Sequence, residues 1–254
     1  MNALILAAGL GTRLKPLTLT MPKAMVPVCG KPLLQHQIER LKKAGCTNIV
    51  VNVHHFAEQI IDFLNTNQNF GIDIRISDER QELLNTGGAI KKAGPLFASD
   101  EPILVHNVDI LHNADLGEFY RSHAASDCAV LVTSDRHSSR SLIARKDDNR
   151  LVGWHNANTN EYKGLYSEND YAGHPDKFYS QSFSGIHIFP KTMLPQMAEW
   201  GSSFSVIDFY LSVCDKGNVV LSPQSDLQII DVGKLDTLQQ AEKFLSDFNL
   251  PIKN

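Results

Sequence analysis

Cysteine is scarce in this 254-residue chain. The four present, Cys29, Cys46, Cys128 and Cys214, are widely spaced and form no C-x-x-C pair, which excludes zinc-finger and dithiol redox motifs. A chain of this length needs no disulfide framework, so a reducing cytoplasm is the expected setting. Long apolar runs are also missing. None approaches the ~20 residues that span a bilayer, and residues 1–8 are too short and lack the basic start of a signal peptide. No membrane partner is expected. Nor is there a basic excess: 24 Lys+Arg against 28 Asp+Glu give a net charge of -4, which argues against an extended nucleic-acid partner. The sequence shows no H-E-x-x-H spacing, no internal repeat and no Pro/Ser linker. A zincin-type hydrolase and a solenoid are thereby excluded.

The charge that is present is unevenly placed. Residues 1–45 hold seven basic residues (Arg13, Lys15, Lys23, Lys31, Arg40, Lys42 and Lys43) and one acid, Glu39. The remainder holds 17 basic and 27 acidic residues, so the two parts carry +6 and -10. A cationic segment on an acidic protein points to a local anion site. Arg40, Lys42 and Lys43 read as a solvated helix face.

Hydrophobic periodicity alternates strand and helix through the first half. Residues 3–8 form a continuous apolar run, as a strand buried on both faces requires. A helix follows Lys31-Pro32, with Leu33, Leu34, Ile38 and Leu41 on one face and Gly45 as its stop. Further strands are predicted at 48–53, 72–77 and 102–108. Helices are predicted between them, one marked by Phe56, Ile60, Ile61 and Leu64 and one over 86–93. Such alternation implies right-handed crossovers and a parallel sheet.

Past Asp109 the pattern changes. Strands are predicted at 129–133, 141–145, 151–155 and 183–189, with Asp115 capping a helix over Leu116–His123. The polar stretch 156–182 is predicted to be a long loop. Helices return at 206–214 and 238–248. The expected fold is α/β, with a mostly parallel central sheet flanked by helices and an inserted mixed β region. It is expected to form one domain over residues 1–254.

The first strand runs into Ala7-Ala8-Gly9-Leu10-Gly11-Thr12-Arg13-Leu14-Lys15-Pro16-Leu17-Thr18. Ligands of open α/β sheets bind beyond the carboxyl ends of the strands. Glycine lets backbone amides approach a phosphate. A dinucleotide fingerprint needs a third glycine where Leu14 stands, which counts against a Rossmann-type dehydrogenase; the Gly-Lys-Ser/Thr of a P-loop is absent. Lys23 follows ten residues after Arg13, inside Met21-Pro22-Lys23-Ala24-Met25-Val26-Pro27-Val28. The two prolines favour an extended path there. Arg13 offers a planar fork and Lys23 a compact charge. Either alone fits an ordinary surface charge; together with the glycines they fit a triphosphate.

The segments Gly9–Thr18 and Pro22–Val28 resemble the signature of the sugar-1-phosphate nucleotidylyltransferases. The resemblance is greatest to short bacterial members acting on N-acetylmuramate 1-phosphate and to mannose-1-phosphate guanylyltransferase-like members. Glu82-Leu83-Leu84-Asn85-Thr86-Gly87-Gly88 resembles the family's base-reading segment. Asn107-Val108-Asp109 resembles its metal-aspartate strand end, Phe183-Ser184-Gly185 its sugar-pocket strand, and Asp231-Val232-Gly233 the source of a second metal aspartate.

The resemblance implies a nucleotide-diphospho-sugar transferase fold, Rossmann-like, with residues 1–110 as the nucleotide-binding half and 111–254 as the sugar-binding half. It implies a Mg2+-dependent condensation of a nucleoside triphosphate with a sugar 1-phosphate. UTP with N-acetylmuramate 1-phosphate is favoured, and mannose 1-phosphate with GTP is the alternative. Arg13 and Lys23 are the implied catalytic cations. Ala7, Ala8, Gly9, Gly11, Thr12, Arg13, Lys23, Glu82, Gly87 and Gly88 are the implied nucleotide contacts. Asp109 and Asp231, 122 residues apart, are the implied Mg2+ ligands. Asn107, Ser184, Gly185 and Asp208 are the implied sugar contacts, although Asp208 also fits a helix-first-turn acid. The family's Glu-Lys-Pro segment is missing from residues 156–182, which leaves Lys163 and Lys177 as unassigned cations. A catalytically silent nucleotide-binding relative is the competing reading; retention of Arg13, Lys23, Asp109 and Asp231 counts against it.

Overall fold

The computed structural model describes residues 1–249. Strand β1 (Asn2–Leu6) leads through 3-10 turns at Thr12–Leu14, Leu17–Leu19 and Lys23–Met25 into a small hairpin of β2 (Pro27–Val28) and β3 (Lys31–Pro32). The alternating part continues with α1 (Leu33–Lys43), β4 (Asn48–Val53), α2 (Ala57–Thr66), β5 (Asp73–Asp78), α3 (Asn85–Ala93) and β6 (Ile103–Asn107). Then come β7 (Ile110–His112), α4 (Leu116–His123), β8 (Ala129–Ser134), β9 (Arg140–Arg145), β10 (Leu151–Asn156), β11 (Glu161–Gly164) and α5 (Glu168–Gly173). The chain closes with β12 (Phe178–Phe189), α6 (Val206–Val213), β13 (Val219–Pro223), β14 (Ile229–Asp231) and α7 (Asp236–Asn249).

Ten of the strands make one sheet, and β2–β3 and β7–β14 are separate pairs. β1 lies between β4 and β6, parallel to both, and β5 extends the parallel set beyond β4. β12 runs antiparallel against β6 and β8, and β13 is parallel to β8. Alternation along β1 explains the two faces. Ala3 and Ile5 point into a core shared with α1, α2, α4 and α7, while Leu4 points into one shared with α3 and α6. Leu33, Leu34, Ile38 and Leu41 of α1 are all fully buried, each contributing about 1.5–3 kcal/mol. Asp115 caps α4, its Oδ1 accepting from Glu118 N at 2.9 Å.

The predicted long loop over 156–182 is corrected by the structure. It contains β11, α5 and the start of β12. Tyr171 and Phe178 pack edge to face there, and β10–β11 pairing supplies the hydrogen bonds. The aromatic spacing was masked by the surrounding polar residues. The twelve-residue β12 bridges two regions: its first half pairs with β9 and its second with β6. The first strand also ends earlier than predicted, at Leu6 rather than Ala8. The amides of Ala7 and Ala8 leave the ladder and donate to Asn52 Oδ1 at 2.6 and 3.2 Å.

Buried histidines give the fold an acid liability. Burial holds His106 down at about 4 and His187 at about 3, and pushes His112 in the same direction. The unfolded chain therefore binds more protons below pH 6.5, and stability falls as pH drops from there towards the folded values. Each histidine should cost about 1.4 kcal/mol per further pH unit. His187, fully enclosed against Tyr210, is the cleanest probe. Urea titrations of His187→Phe between pH 7 and 5 should show a slope shallower by one histidine's share. An unchanged slope would contradict the assignment.

Candidate active site

Two cavities are present, the first at the carboxyl ends of the parallel strands β1, β4 and β6. The first, of about 450 Å³, is lined by Ala8, Gly9, Lys23, Asn52, Glu79 and Asp109 among others. The second, of about 440 Å³, is lined by Arg136, Arg140, Trp154, Lys163, Asp208 and Asp231 among others. Their boundary is built by the short pairing of β7 with β14. It sets Ile110 opposite Asp231, and Val232 N donates to Asp109 O at 2.9 Å. Residues far apart in sequence thus bring two carboxylates together.

Lys23 meets them. Its Nζ forms an ion pair with Asp109 Oδ2, and the side chain is nearly buried, at 11% exposure. Lys23 begins the 3-10 turn Lys23–Met25 rather than lying on an extended path. Pro22 and Val26, both extended, flank that single turn. Burial raises the pKa of Asp231, and the nearby charge of Asp109 raises it further. Lys23, Arg13 and Arg136 oppose that rise. Asp231 Oδ1 is buried without a hydrogen-bond partner. A buried, unpartnered carboxylate oxygen beside a second carboxylate fits a hard divalent cation by donor chemistry. Among the described residues there is no larger His/Cys/Asp/Glu group of metal-binding geometry.

Arg13 is exposed and its guanidinium lies against Gly233, where an added Cβ would stand 2.7 Å from Nη2 and 2.8 Å from Asp231 Oδ1. The lack of a side chain at Gly233 lets the two approach. Gly11 holds φ +61, and a Cβ there would meet Thr18 and Lys23 within 3.0 Å. Its role is the turn that seats Lys23. Of the loop, Ala8 and Gly9 reach the first cavity; Ala7, Gly11, Thr12 and Arg13 are outside its wall.

The segment 82–88 behaves differently from the sequence expectation. Leu83, Asn85 and Thr86 line the cavity, whereas Glu82, Gly87 and Gly88 do not. Glu82 accepts from Ser202 Oγ at 2.8 Å. A Cβ on Gly87 would strike Phe204 at 2.4 Å and one on Gly88 would strike Ser202 O at 2.0 Å. These glycines admit the 202–206 segment. Thr86 Oγ1 accepts from Val206 N at 2.9 Å, completing the seam.

The sugar-side expectations also separate. Asp208 lines the second cavity and sits in the first turn of α6. Lys163 lies 3.2 Å from its Oδ1 and 5.3 Å from the Trp154 ring centroid. Lys177 is not part of the wall. Asn107 lines the first cavity instead of the second. Ser184 and Gly185 line neither, and Gly185, at φ +80, leaves room for the Asn107 side chain. Phe183 is the wall residue from that strand.

Sequence reading missed Asn52, Glu79 and Arg136. Asn52 Nδ2 donates to Glu79 Oε1 at 2.8 Å, and Leu84 N donates to Glu79 Oε2 at 3.2 Å. This pair joins both walls of the first cavity. Burial raises the Glu79 pKa, against the pull of those hydrogen bonds. Neither residue sits in a motif; a polar Asn inside the apolar run 49–53 was the available signal.

The profile of the nucleotidyl transferase family matches residues 2–142. The chain belongs to the nucleotidyl transferase family. It is 47% identical over 109 residues to an N-acetylmuramate alpha-1-phosphate uridylyltransferase of Caulobacter vibrioides, covering 42% of this chain and 45% of that protein. It is 38% identical over 148 residues to mannose-1-phosphate guanyltransferase 2 of Candida glabrata, covering 56% of this chain and 41% of that protein. The chain thus spans less than half the length of these curated relatives. Its fold is similar to HddC from Yersinia pseudotuberculosis complexed with GMP-PN, with a TM-score of 0.72, 25% identity, and 96% and 99% of the two chains covered. The α/β family fold expected from the resemblance is the one found.

Proposed function

We propose that the chain transfers a nucleotidyl group from a nucleoside triphosphate to a sugar 1-phosphate, releasing pyrophosphate. The observation that carries this reading is the meeting of two similar-sized cavities at Lys23, Asp109 and Asp231. The first takes the triphosphate and is lined, apart from Ser203, by residues 6–109. The second takes the sugar 1-phosphate and is lined by residues 136–231. This supports residues 1–110 and 111–254 as the nucleotide and sugar halves of one domain. UTP with N-acetylmuramate 1-phosphate is the proposed pair, supported by the stronger identity to the uridylyltransferase. GTP with mannose 1-phosphate is the second reading, supported by the longer match to the guanyltransferase.

An oxygen of the sugar phosphate attacks the α-phosphorus. A new P–O bond forms, and pyrophosphate leaves with the electrons of the broken one. The monoester is already an oxyanion, so no side chain need remove a proton. Positioning and charge neutralisation are the tasks left to the protein. Lys23 offsets charge at the α-phosphate and Arg13 at the departing phosphates. Arg136 and Lys163 hold the sugar phosphate. Asp109 and Asp231 would hold a divalent ion, Mg2+ by donor chemistry, which would supply further charge neutralisation. The test is pyrophosphate release from each nucleoside triphosphate with a panel of sugar 1-phosphates and Mg2+. No release with any pair would refute the reading.

The two unassigned lysines give a sharper check. Lys163→Ala should raise KM for the sugar phosphate about tenfold, the lower end for a charge-assisted contact, because Asp208 and solvent share its charge. Lys177→Ala should stay within about twofold. Equal effects would remove Lys163 from the site.

A further inference from the structure

The turn that carries Asp109 is fixed by an unusual set of side chains. Every carbonyl from Asn107 to Ile110 accepts a hydrogen bond. Asn107 O accepts from His106 Nδ1 at 2.7 Å, and Asp109 O accepts from Val232 N at 2.9 Å. Val108 O and Ile110 O both accept from Gln37 Nε2, at 3.3 and 2.8 Å. Gln37, His106 and His112 are all completely buried. His106 and His112 stand at the two ends of the turn, and their Nε2 atoms are 2.9 Å apart.

Hydrogen-bond logic fixes the protons. A carbonyl only accepts, so His106 Nδ1 carries a hydrogen. A backbone amide only donates, so His112 Nδ1, 3.0 Å from Ala114 N, is bare. With both rings neutral, His112 Nε2 donates to His106 Nε2. The result is one continuous chain from Ala114 N–H to Asn107 O. Burial disfavours a charged ring at both positions, and the Arg40 guanidinium adds to this. Two histidines were not needed merely to fill space; apolar residues of similar size would do so without buried polar atoms.

We propose that His106 and His112 form a neutral hydrogen-bonded clasp that, with Gln37, positions the Asp109 carboxylate at the boundary of the two cavities. They are positioning residues, acting through the backbone of the turn. Their kinetic effect rests on the nucleotidyl-transfer reading; their proton arrangement and their hold on Asp109 do not.

The test uses the full chain, isotopically labelled, at pH 7. Nitrogen resonances of the rings should show His106 protonated on Nδ1 and His112 on Nε2, both neutral. Any other tautomer pair, or a charged ring, overturns the clasp. His112→Phe keeps a ring but removes both hydrogen bonds; His112→Gln restores a donor to His106. The Asp109 carboxyl carbon resonance should move in His112→Phe and return towards its original position in His112→Gln. In the same variants kcat should fall about tenfold and recover, as for other outer-shell positioning partners, with KM for both substrates within about threefold. An unmoved Asp109 resonance in folded His112→Phe refutes the positioning role. Absence of turnover in the unaltered protein would count against the proposed reaction alone, and the resonances would still decide the clasp.

Discussion

Replacing Lys23 with methionine is expected to lower kcat by ~10²–10³-fold, the range seen when one preorganised charge-stabilising donor is removed. Methionine retains the apolar stem that Lys23 buries, so packing is largely kept. What is lost is a nearly buried positive charge between two cavities that must each receive a polyanion. Asp109 would also lose its ion-pair partner. Removing one member of a buried pair costs about 3–5 kcal/mol, so lower thermal stability should accompany the kinetic loss. Saturating Mg2+ should recover part of the stability by neutralising Asp109 and Asp231, but not the rate. Asp109→Asn should give a comparable kinetic loss with a smaller stability penalty, because the amide still accepts from Lys23. Rates within threefold of the original in either variant, measured by pyrophosphate release, would take the residue out of the mechanism.

Gly88→Ala is expected to be strongly damaging to the fold. The new methyl would lie 2.0 Å from Ser202 O and 3.0 Å from Leu84 Cβ. The first obstacle is backbone, which cannot rotate away as a side chain can. Overpacking of this kind costs about 1–3 kcal/mol or more. The strained segment supplies Ser203 to the first cavity and Ser205, Ile207 and Asp208 to the second. Stability and both KM values should therefore suffer together. Urea unfolding and substrate titrations check this. Gly9→Ala provides the contrast, since a Cβ there meets nothing within 4 Å. Equal stability of the two variants would contradict the account of Gly88 as a packing residue.

Much of this arrangement was readable from residue pattern. The buried strands, the amphipathic helices and the Asp115 cap follow from periodicity and local hydrogen bonding, which act within a few residues. Lys23 and the two aspartates could be nominated by motif. Their convergence could not be read, because it depends on the three-residue pairing of β7 with β14 across 122 positions. The thrice-interrupted stretch 156–182 failed for a related reason. Its order comes from aromatic contacts and from β10–β11 pairing, not from its own polarity. Gly87 and Gly88 were nominated by motif for a base, and what the structure shows of them is close packing. Their missing side chains make room for another part of the same chain.

The central claim is that one substrate lies in each cavity and the reacting phosphates meet over Lys23, Asp109 and Asp231. A crystal structure with a nucleoside diphosphate sugar and Mg2+ tests it most directly. The predicted result has the base beside Asn85 and Thr86, the sugar between Trp154 and Asp208, and the diphosphate across the boundary. A product contained wholly in one cavity, with its phosphates away from Lys23 and both aspartates, would contradict the account.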